Sequence, residues 1–167
     1  MTLNPKVIAD PTVASMKSKL YDSLREPLRA LLEGERDWTA SAANFAALLF
    51  HSLPQLNWVG FYLLKEGELV LGPFQGKPAC TRIALGKGVC GTAAAERKTL
   101  VVPNVHQFPG HIACDEDSNS EIVVPISKQD RLFAVLDLDS PYLDRFDAED
   151  QAGLETLVQE FIRLTDF

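Results

Sequence analysis

The sequence has few cysteines and no long apolar run. It contains 3 cysteines in 167 residues, an odd number that does not suit a disulfide-stabilised secreted domain. No apolar stretch reaches the roughly 20 residues that a membrane-spanning helix needs. The segment from Met1 to Asp10 lacks the basic and apolar parts of a signal peptide. We therefore expect a cytoplasmic protein.

The sequence is also poor in positive charge. Its 16 Lys and Arg residues are outnumbered by 23 Asp and Glu residues, which gives a formal net charge of −7. No basic cluster offsets this acidity, so a nucleic-acid backbone or an anionic membrane surface would repel the protein. We expect neither nucleic acid nor membrane as a partner. Hydrophobic residues make up 46% of the chain, which is enough for an ordinary buried core.

Hydrophobic periodicity predicts that the first third of the chain is helical. Pro27 lies inside the first helical run and is expected to kink or split it. A second helix is predicted from about Asp37 to Leu53, with an alanine-rich buried face. The apolar positions that define the two faces are Val13, Met16, Leu20, Leu24, Leu28 and Leu31 in the first helix, and Ala43, Ala46, Ala47 and Phe50 in the second.

From residue 57 onward the pattern changes to short β-rich runs joined by turns. A short helix is expected near 89–98, a long polar loop over 105–118 and a last helix near 147–165, with Asp147 as its N-cap. Because short turns join most neighbouring strands, we expect an α+β domain with an antiparallel sheet. The predicted strands are 57–64, 68–74, 81–85, 100–102, 121–127 and 132–139.

The predicted loop over 105–118 carries one cysteine and two histidines. Reactive groups are often placed on loops that a rigid sheet supports, so Cys114 is the first candidate for a reactive thiol. A nearby imidazolium, from His106 or His111, would favour its thiolate, whereas the carboxylates that follow Cys114 would oppose it. The alternative is a half-buried, inert thiol.

The other two cysteines flank a predicted turn. Cys80 comes just before a strand and is a candidate resolving thiol. Cys90 lies at a predicted helix N-terminus, where free backbone N–H groups would lower the pKa of its thiol. The alternative for Cys90 is a small apolar side chain packed beneath the helix. The spacing of the cysteines and histidines matches no usual zinc pattern, so no metal site is expected.

Three glycines near Cys90 have the spacing of a dinucleotide-binding fingerprint. Gly86, Gly88 and Gly91 follow a short strand, but the region has no βαβ alternation and no acidic residue in the matching context. A tight turn that leads into a helix explains these glycines, so no nucleotide cofactor is expected.

Two acidic residues alternate with leucines on a predicted strand. Asp137 and Asp139 should share one face, and Asp is disfavoured in strands unless it meets solvent, a cavity or a cation. Glu121 begins a neighbouring strand, and if the three converge, mutual repulsion should raise at least one pKa. The alternative is a solvated end of the sheet. Trp58 and Tyr62 share a face of another strand. They are expected either to pack in the core or to form the wall of an apolar slot.

Five segments of this sequence resemble one known family. They are residues 71–76 (LGPFQG), 86–93 (GKGVCGTA), 110–115 (GHIACD), 118–123 (SNSEIV) and 135–140 (VLDLDS). In combination they look like the free methionine-(R)-sulfoxide reductases (fRMsr), which are GAF-domain proteins. The resemblance is close from about residue 57 to the C-terminal helix and looser over the N-terminal helices.

This resemblance implies a GAF-like fold, with a central antiparallel sheet of about six strands and the N- and C-terminal helices packed together on one side. It implies a single domain over residues 1–167, with helices at about 12–53, the sheet and active-site loop at about 57–140, and the last helix at about 147–165. It also implies a homodimer, and no metal or organic cofactor. The rival interpretation is a GAF module that binds a small molecule without catalysis.

The resemblance further implies an oxidoreductase that converts free L-methionine (R)-S-oxide to L-methionine. Cys114 would be the nucleophile and form a sulfenic acid, Cys80 would resolve it as a disulfide, and thioredoxin would restore the thiols. Cys90 would be a third, auxiliary cysteine. The residues expected to contact the substrate are Glu121, Asp137 and Asp139, with Trp58 and Tyr62 around its methyl end.

Overall fold

The chain forms four α-helices and six β-strands in the computed structural model, which describes residues 11–112 and 114–166, with side chains from residue 16 onward. The helices are α1 (Pro11–Leu32), α2 (Trp38–Ser52), α3 (Gly88–Glu96) and α4 (Ala148–Leu164). The strands are β1 (Trp58–Lys65), β2 (Glu68–Gly76), β3 (Arg82–Ala84), β4 (Leu100–Val102), β5 (Ser120–Lys128) and β6 (Arg131–Ser140).

The strands form one antiparallel sheet in the order β3-β2-β1-β6-β5-β4. Tight hairpins join β1 to β2 and β5 to β6, as the turn signals predicted. The helices α1, α2 and α4 pack together on one face of this sheet. The α+β architecture with about six antiparallel strands, and with terminal helices packed on one side, is therefore confirmed.

Alternation along the strands divides the core into two layers. On β5, Ile122 and Val124 face the layer under α1, α2 and α4, whereas Val123 faces the layer under α3. On β6, Leu136 and Leu138 likewise face the terminal helices. Side chains at the intervening positions must then point toward α3, because successive strand residues lie on opposite faces.

Pro27 was expected to kink or split the first helix, and the split is wrong. Helix α1 continues through Pro27 to Leu32, and Pro27 lies on its exposed side. Buried Leu24 and Leu28 hold the helix against the core on either side of the proline. On the solvent side, water can satisfy the carbonyl that Pro27 leaves without a partner, so the lost hydrogen bond does not end the helix.

The predicted apolar faces of the first two helices are partly wrong. In α1, Met16 and Leu31 are exposed, and Tyr21 and Leu32 are buried instead; the side chain of Val13 lies outside the described residues. In α2 the buried face is displaced by one position along the helix. Its buried residues are Ser41, Ala42, Phe45, Ala46 and Leu49, so of the four predicted positions only Ala46 is buried.

Helix α4 begins as predicted, at a side-chain cap. Asp147 accepts hydrogen bonds from the backbone N–H groups of Glu149 and Asp150, and the Asp150 carboxylate accepts one from the Asp147 N–H. This reciprocal pair satisfies donors that the first helical turn leaves free. Among the described residues, no helix combines the length and apolarity required to span a membrane.

Asp150 also joins α1 to α4 inside the protein. Its fully buried carboxylate accepts hydrogen bonds from Tyr21 Oη at 2.8 Å, Arg145 Nη1 at 2.9 Å and Lys17 Nζ at 2.6 Å. The charge of this carboxylate offsets the free-energy cost of removing its cationic partners from water. Loss of its charge would leave Arg145 buried without a counter-ion.

We therefore predict that Asp150→Asn lowers the free energy of unfolding by about 3 kcal/mol, because it leaves a buried cation uncompensated. The matched control is Asp166→Asn, which removes a mostly exposed ion pair with Arg36 and should cost less than about 1 kcal/mol. Urea denaturation followed by far-UV circular dichroism measures both. Equal effects of the two substitutions would contradict this account of the buried ion pair.

Candidate active site

The register of three neighbouring strands brings the predicted acidic residues together. Asp139 on β6 lies directly opposite Trp58 on β1 and Glu121 on β5. Asp137 follows two residues earlier on the same face of β6, opposite Gly60. Directly opposite residues in antiparallel strands share a face, so all of these positions point into the layer under α3.

These side chains line a cavity of about 30 Å³ between the sheet and the loop that carries Cys114. The three acids form its floor, and Trp58 with Tyr62 form an apolar wall. His111, Ile112 and Cys114 close it from the loop side. The structure thus gathers six of the predicted site residues around one cavity: Glu121, Asp137, Asp139, Trp58, Tyr62 and Cys114.

The aromatic wall depends on a glycine. Trp58 stacks between Tyr62 and Phe74, with ring centroids 5.9 Å and 5.4 Å away. A Cβ at Gly60 would lie 2.4 Å from the Trp58 ring, closer than any real contact. The absence of a side chain at Gly60 therefore lets the indole lie across β1 and face the cavity.

A disulfide joins Cys80 to Cys114 at the edge of the cavity, with their Cα atoms 5.4 Å apart. Cys80 lies between β2 and β3, and its carbonyl accepts a hydrogen bond from Tyr62 Oη at 3.0 Å. The Trp58 indole N–H donates to the carbonyl of Lys77 at 3.1 Å. The aromatic residues of β1 therefore also position the segment that presents Cys80.

The loop beyond Cys114 is held by side chains that sequence analysis missed. Asn57 Nδ2 donates to the Asp115 carboxylate at 3.2 Å and to Ser118 Oγ at 3.0 Å. Lys77 forms ion pairs with both Asp115 and Asp117. The Asp117 N–H and the Lys77 ammonium lower the pKa of Asp115. An Asp side chain often accepts a hydrogen bond from the backbone N–H two residues later and so forms a turn, as Asp115 does with Asp117. The sequence did not show which other side chains would hold this turn in place.

Burial dominates the electrostatics of the acidic cluster. It raises the pKa of Glu121, Asp137 and Asp139, and negative charge on Asp137 raises the other two further. For Asp137 the pKa is raised to about 7, although hydrogen bonds from Cys90 and Glu121 work against the shift. At least one pKa in the cluster is therefore raised, as predicted, but burial contributes more to the shifts than mutual repulsion does.

His111 lies beside this acidic cluster. Its Nε2 atom lies 4.0 Å from Glu121 Oε2. Burial lowers the pKa of His111, and the neighbouring His106 lowers it further. Both effects work against the imidazolium form of His111, which would favour a Cys114 thiolate.

Cys90 lies in the first turn of α3 and is the one free cysteine in the structure, which describes all three cysteine positions. Its Sγ atom lies 3.9 Å from Glu121 Oε1. Burial raises the pKa of this thiol, and the charges of Asp137 and Glu121 raise it further. Of the two interpretations of Cys90, the side chain packed beneath the helix is confirmed. The lowered pKa is wrong, because desolvation and two nearby carboxylates outweigh the helix dipole.

Comparison with known proteins gives matches over most of the chain. Residues 26–162 match the GAF domain family. Free methionine-R-sulfoxide reductase of Escherichia coli is 47% identical over 154 residues, covering 90% of this chain and 93% of that protein. Protein YtsP of Bacillus subtilis is 55% identical over 140 residues, covering 83% and 86%. The structure of fRMsr of Staphylococcus aureus in complex with substrate matches with a TM-score of 0.83 and 49% identity, covering 98% and 99%.

The sheet with helices on both faces and the cavity beneath α3 define this chain as a GAF-domain protein. Within the GAF domains, the extent of identity to the Escherichia coli protein places the chain in the free methionine-R-sulfoxide reductase family. The family resemblance read from the five sequence segments is therefore confirmed.

The disulfide pairing predicts how the thiols label. Alkylation of the oxidised protein in denaturant, without reductant, should modify only Cys90, and prior reduction should expose all three cysteines. In the native protein Cys90 should react far more slowly, because the thiol is buried and its pKa is raised. Peptide mass spectrometry measures each label. Labelling of Cys80 or Cys114 before reduction would contradict the pairing.

Proposed function

We propose that this protein reduces free methionine (R)-sulfoxide to methionine. The observation that carries the proposal is the Cys80–Cys114 disulfide beside a cavity floored by buried acids. The names of the Escherichia coli and Staphylococcus aureus relatives support it, as does the substrate bound to the latter. The reaction is an oxidoreduction in which two thiols are oxidised and one sulfoxide is reduced.

The acids would bind the substrate's ammonium group. Glu121 and Asp137 are almost fully buried, so an ammonium ion would gain strong charge-assisted hydrogen bonds in the absence of competing water. Trp58 and Tyr62 would hold the methyl and thioether end against their stacked rings. Recognition of the free ammonium group would explain a preference for the amino acid over a methionine within a peptide.

In the first step, the Cys114 thiolate attacks the sulfoxide sulfur and forms a transient S–S bond to it. A protonated carboxyl of the acidic cluster hydrogen-bonds to the sulfoxide oxygen and donates its proton, which makes that oxygen a hydroxyl. The hydroxyl then moves to Cys114 Sγ as its bond to the substrate sulfur and the S–S bond both break, so methionine leaves and Cys114 becomes a sulfenic acid. Sulfur of the substrate gains two electrons, and Cys114 loses two. The raised pKa of Asp137 and its neighbours supports an acid that keeps its proton near neutral pH.

In the second step, the Cys80 thiol attacks the sulfenic sulfur, and water leaves as the disulfide forms. The observed Cys80–Cys114 pairing supports Cys80 as the resolving cysteine. Cys90 would then remain outside the disulfide chemistry, as an auxiliary residue of the pocket. A dithiol reductant, which we propose to be thioredoxin, restores the two thiols by exchange.

The oxidised form would be closed to substrate. Its cavity of about 30 Å³ is roughly a tenth of the ~300 Å³ at which small-molecule sites begin. Reduction frees the Cys114 segment from Cys80, so the loop could move and admit the substrate. The oxidised protein would thus be unable to bind another substrate molecule until its disulfide is reduced.

Other implications of the family remain predictions. We expect a homodimer, a cytoplasmic location, and no metal or organic cofactor in the reaction. The alternative function is a GAF module that binds a small molecule in this cavity without chemistry. The disulfide favours the reductase, because a binding module has no need of paired thiols at its ligand.

The first functional prediction concerns the thiols. With dithiothreitol as reductant, wild type should turn over free methionine (R)-sulfoxide, and Cys114→Ser should lose at least about 1,000-fold of the rate, because the nucleophile is gone. Cys80→Ser should still form methionine once but regenerate slowly. Methionine is measured by liquid chromatography. A folded, fully reduced wild type without turnover would leave the binding module as the better account.

The second functional prediction concerns the acids. Glu121→Gln, Asp137→Asn and Asp139→Asn should each lower kcat/KM by about 10- to 100-fold, since a hydrogen bond to a charged group contributes about 1.5–3 kcal/mol. The matched control is Asp130→Asn in the exposed β5–β6 turn, which should leave kcat/KM unchanged. Full activity in all three cluster variants would refute the proposed role of the acids.

A further inference from the structure

Three buried side chains from three different elements converge behind the cavity. Cys90 belongs to α3, Glu121 to β5 and Asp137 to β6, and each is at most 6% exposed. One sulfur or oxygen atom of each lies within 4.8 Å of the other two. Such a group of one thiol and two carboxyls, withdrawn from water, is a candidate for cation binding.

One atom of this group lacks a partner. Asp137 Oδ1 is buried and forms no hydrogen bond among the described residues. A buried carboxylate oxygen without a donor costs free energy, so its lone pairs are available to a ligand. The side chain also lines the cavity floor, which gives a small ion a route to it.

The spacing of the three atoms suits a small divalent cation. In a tetrahedral zinc site with Zn–O near 2.1 Å and Zn–S near 2.3 Å, neighbouring ligand atoms lie roughly 3.4–3.7 Å apart. Cys90 Sγ and Glu121 Oε1 are already 3.9 Å apart, so rotamer-scale shifts would complete the geometry. With all three groups ionised, a divalent cation leaves a net charge of −1 instead of −3.

We propose that Cys90, Glu121 and Asp137 bind one thiophilic divalent cation of the Zn²⁺ class. The ion would bind to the carboxylates that the substrate's ammonium group otherwise contacts. It would therefore compete with the substrate and inhibit the reductase reversibly. The inhibitory part rests on the function proposed above, whereas the binding part does not. A fourth position of the ion remains open toward the cavity, where water can complete the coordination.

This site is independent of the disulfide. In the oxidised protein Cys80 and Cys114 are bonded to each other, so Cys90 is the one thiol left to bind a metal. Any metal–thiolate signal from oxidised protein must then come from Cys90. An experiment on the oxidised protein therefore distinguishes binding at this site from zinc binding by the thiols of Cys80 and Cys114.

The binding experiment titrates Co²⁺ into metal-free, oxidised protein and follows the thiolate-to-cobalt charge-transfer absorption. We expect one equivalent to bind with this band, and Zn²⁺ to displace it. Cys90→Ser should abolish the band, and Asp137→Asn should keep it but weaken the affinity by at least about 10-fold, since even the loss of an outer-shell partner costs about 10- to 100-fold. Asp130→Asn is the matched control and should bind as wild type does.

Two results would overturn the site: no band at millimolar Co²⁺, or a band that survives in folded Cys90→Ser. Near-UV circular dichroism and melting curves establish folding of each variant. Should Cys90→Ser fail to fold, Asp137→Asn, which retains the thiol, still decides: unchanged Co²⁺ affinity would reject the proposed ligand set.

The inhibition experiment uses prereduced protein freed of reductant and measures methionine formed in a single turnover. Zn²⁺ should raise the sulfoxide concentration needed for half-maximal rate, and Cys90→Ser should need at least about 10-fold more Zn²⁺ for the same effect. Equal sensitivity of the two proteins would reject the inhibitory part alone. Absence of turnover without Zn²⁺ would reject the proposed function and leave the cobalt result standing.

Discussion

The gathering of three carboxyl groups on one face of the sheet, with two of them buried and the third half-buried, is the constraint on which the rest of the site depends. Strand register places Glu121 and Asp139 side by side and Asp137 next to them, beneath α3. Glu121 and Asp137 are each 6% exposed, and Asp139 is half-buried. Buried carboxyls must share protons or meet a cation. The raised pKa values follow from this constraint. Three proposals rest on the same constraint: recognition of an ammonium group, proton donation to a sulfoxide, and affinity for a divalent cation.

The disulfide and the aromatic wall build the redox part of the site around this acidic floor. Tyr62 and Trp58 present apolar rings to the cavity and also hydrogen-bond to the segment that carries Cys80. Lys77 in that segment pairs with carboxylates just beyond Cys114. The two loops that must meet for disulfide formation are therefore tied to each other and to β1. This arrangement supports the proposed resolving role of Cys80, because it holds the two thiols close together before they react.

Much of this architecture could be predicted from the sequence, because it follows local periodicity. The alternation of Asp137 and Asp139 with leucines predicted one acidic face, and the structure shows it. The continuity of α1 and the buried face of α2 were not predictable in this way, because tertiary packing decides both. In α1, the buried Leu24 and Leu28 hold the helix against the core on either side of Pro27. Contacts across long separations, such as Asn57 with Asp115, leave no local pattern. The raised pKa of Cys90 follows first from burial and then from carboxylates on two strands, neither of which its position on α3 showed.

The central claim is that Cys114 takes the oxygen from methionine sulfoxide and passes the oxidation to Cys80. The most direct test mixes fully reduced protein with excess free methionine (R)-sulfoxide in the absence of any reductant, then measures methionine and maps the disulfides. The account predicts about one methionine per chain, the loss of two free thiols, and a disulfide between Cys80 and Cys114 with Cys90 still free. Folded, reduced protein that forms no methionine, or that oxidises Cys90 while Cys114 stays free, would contradict it.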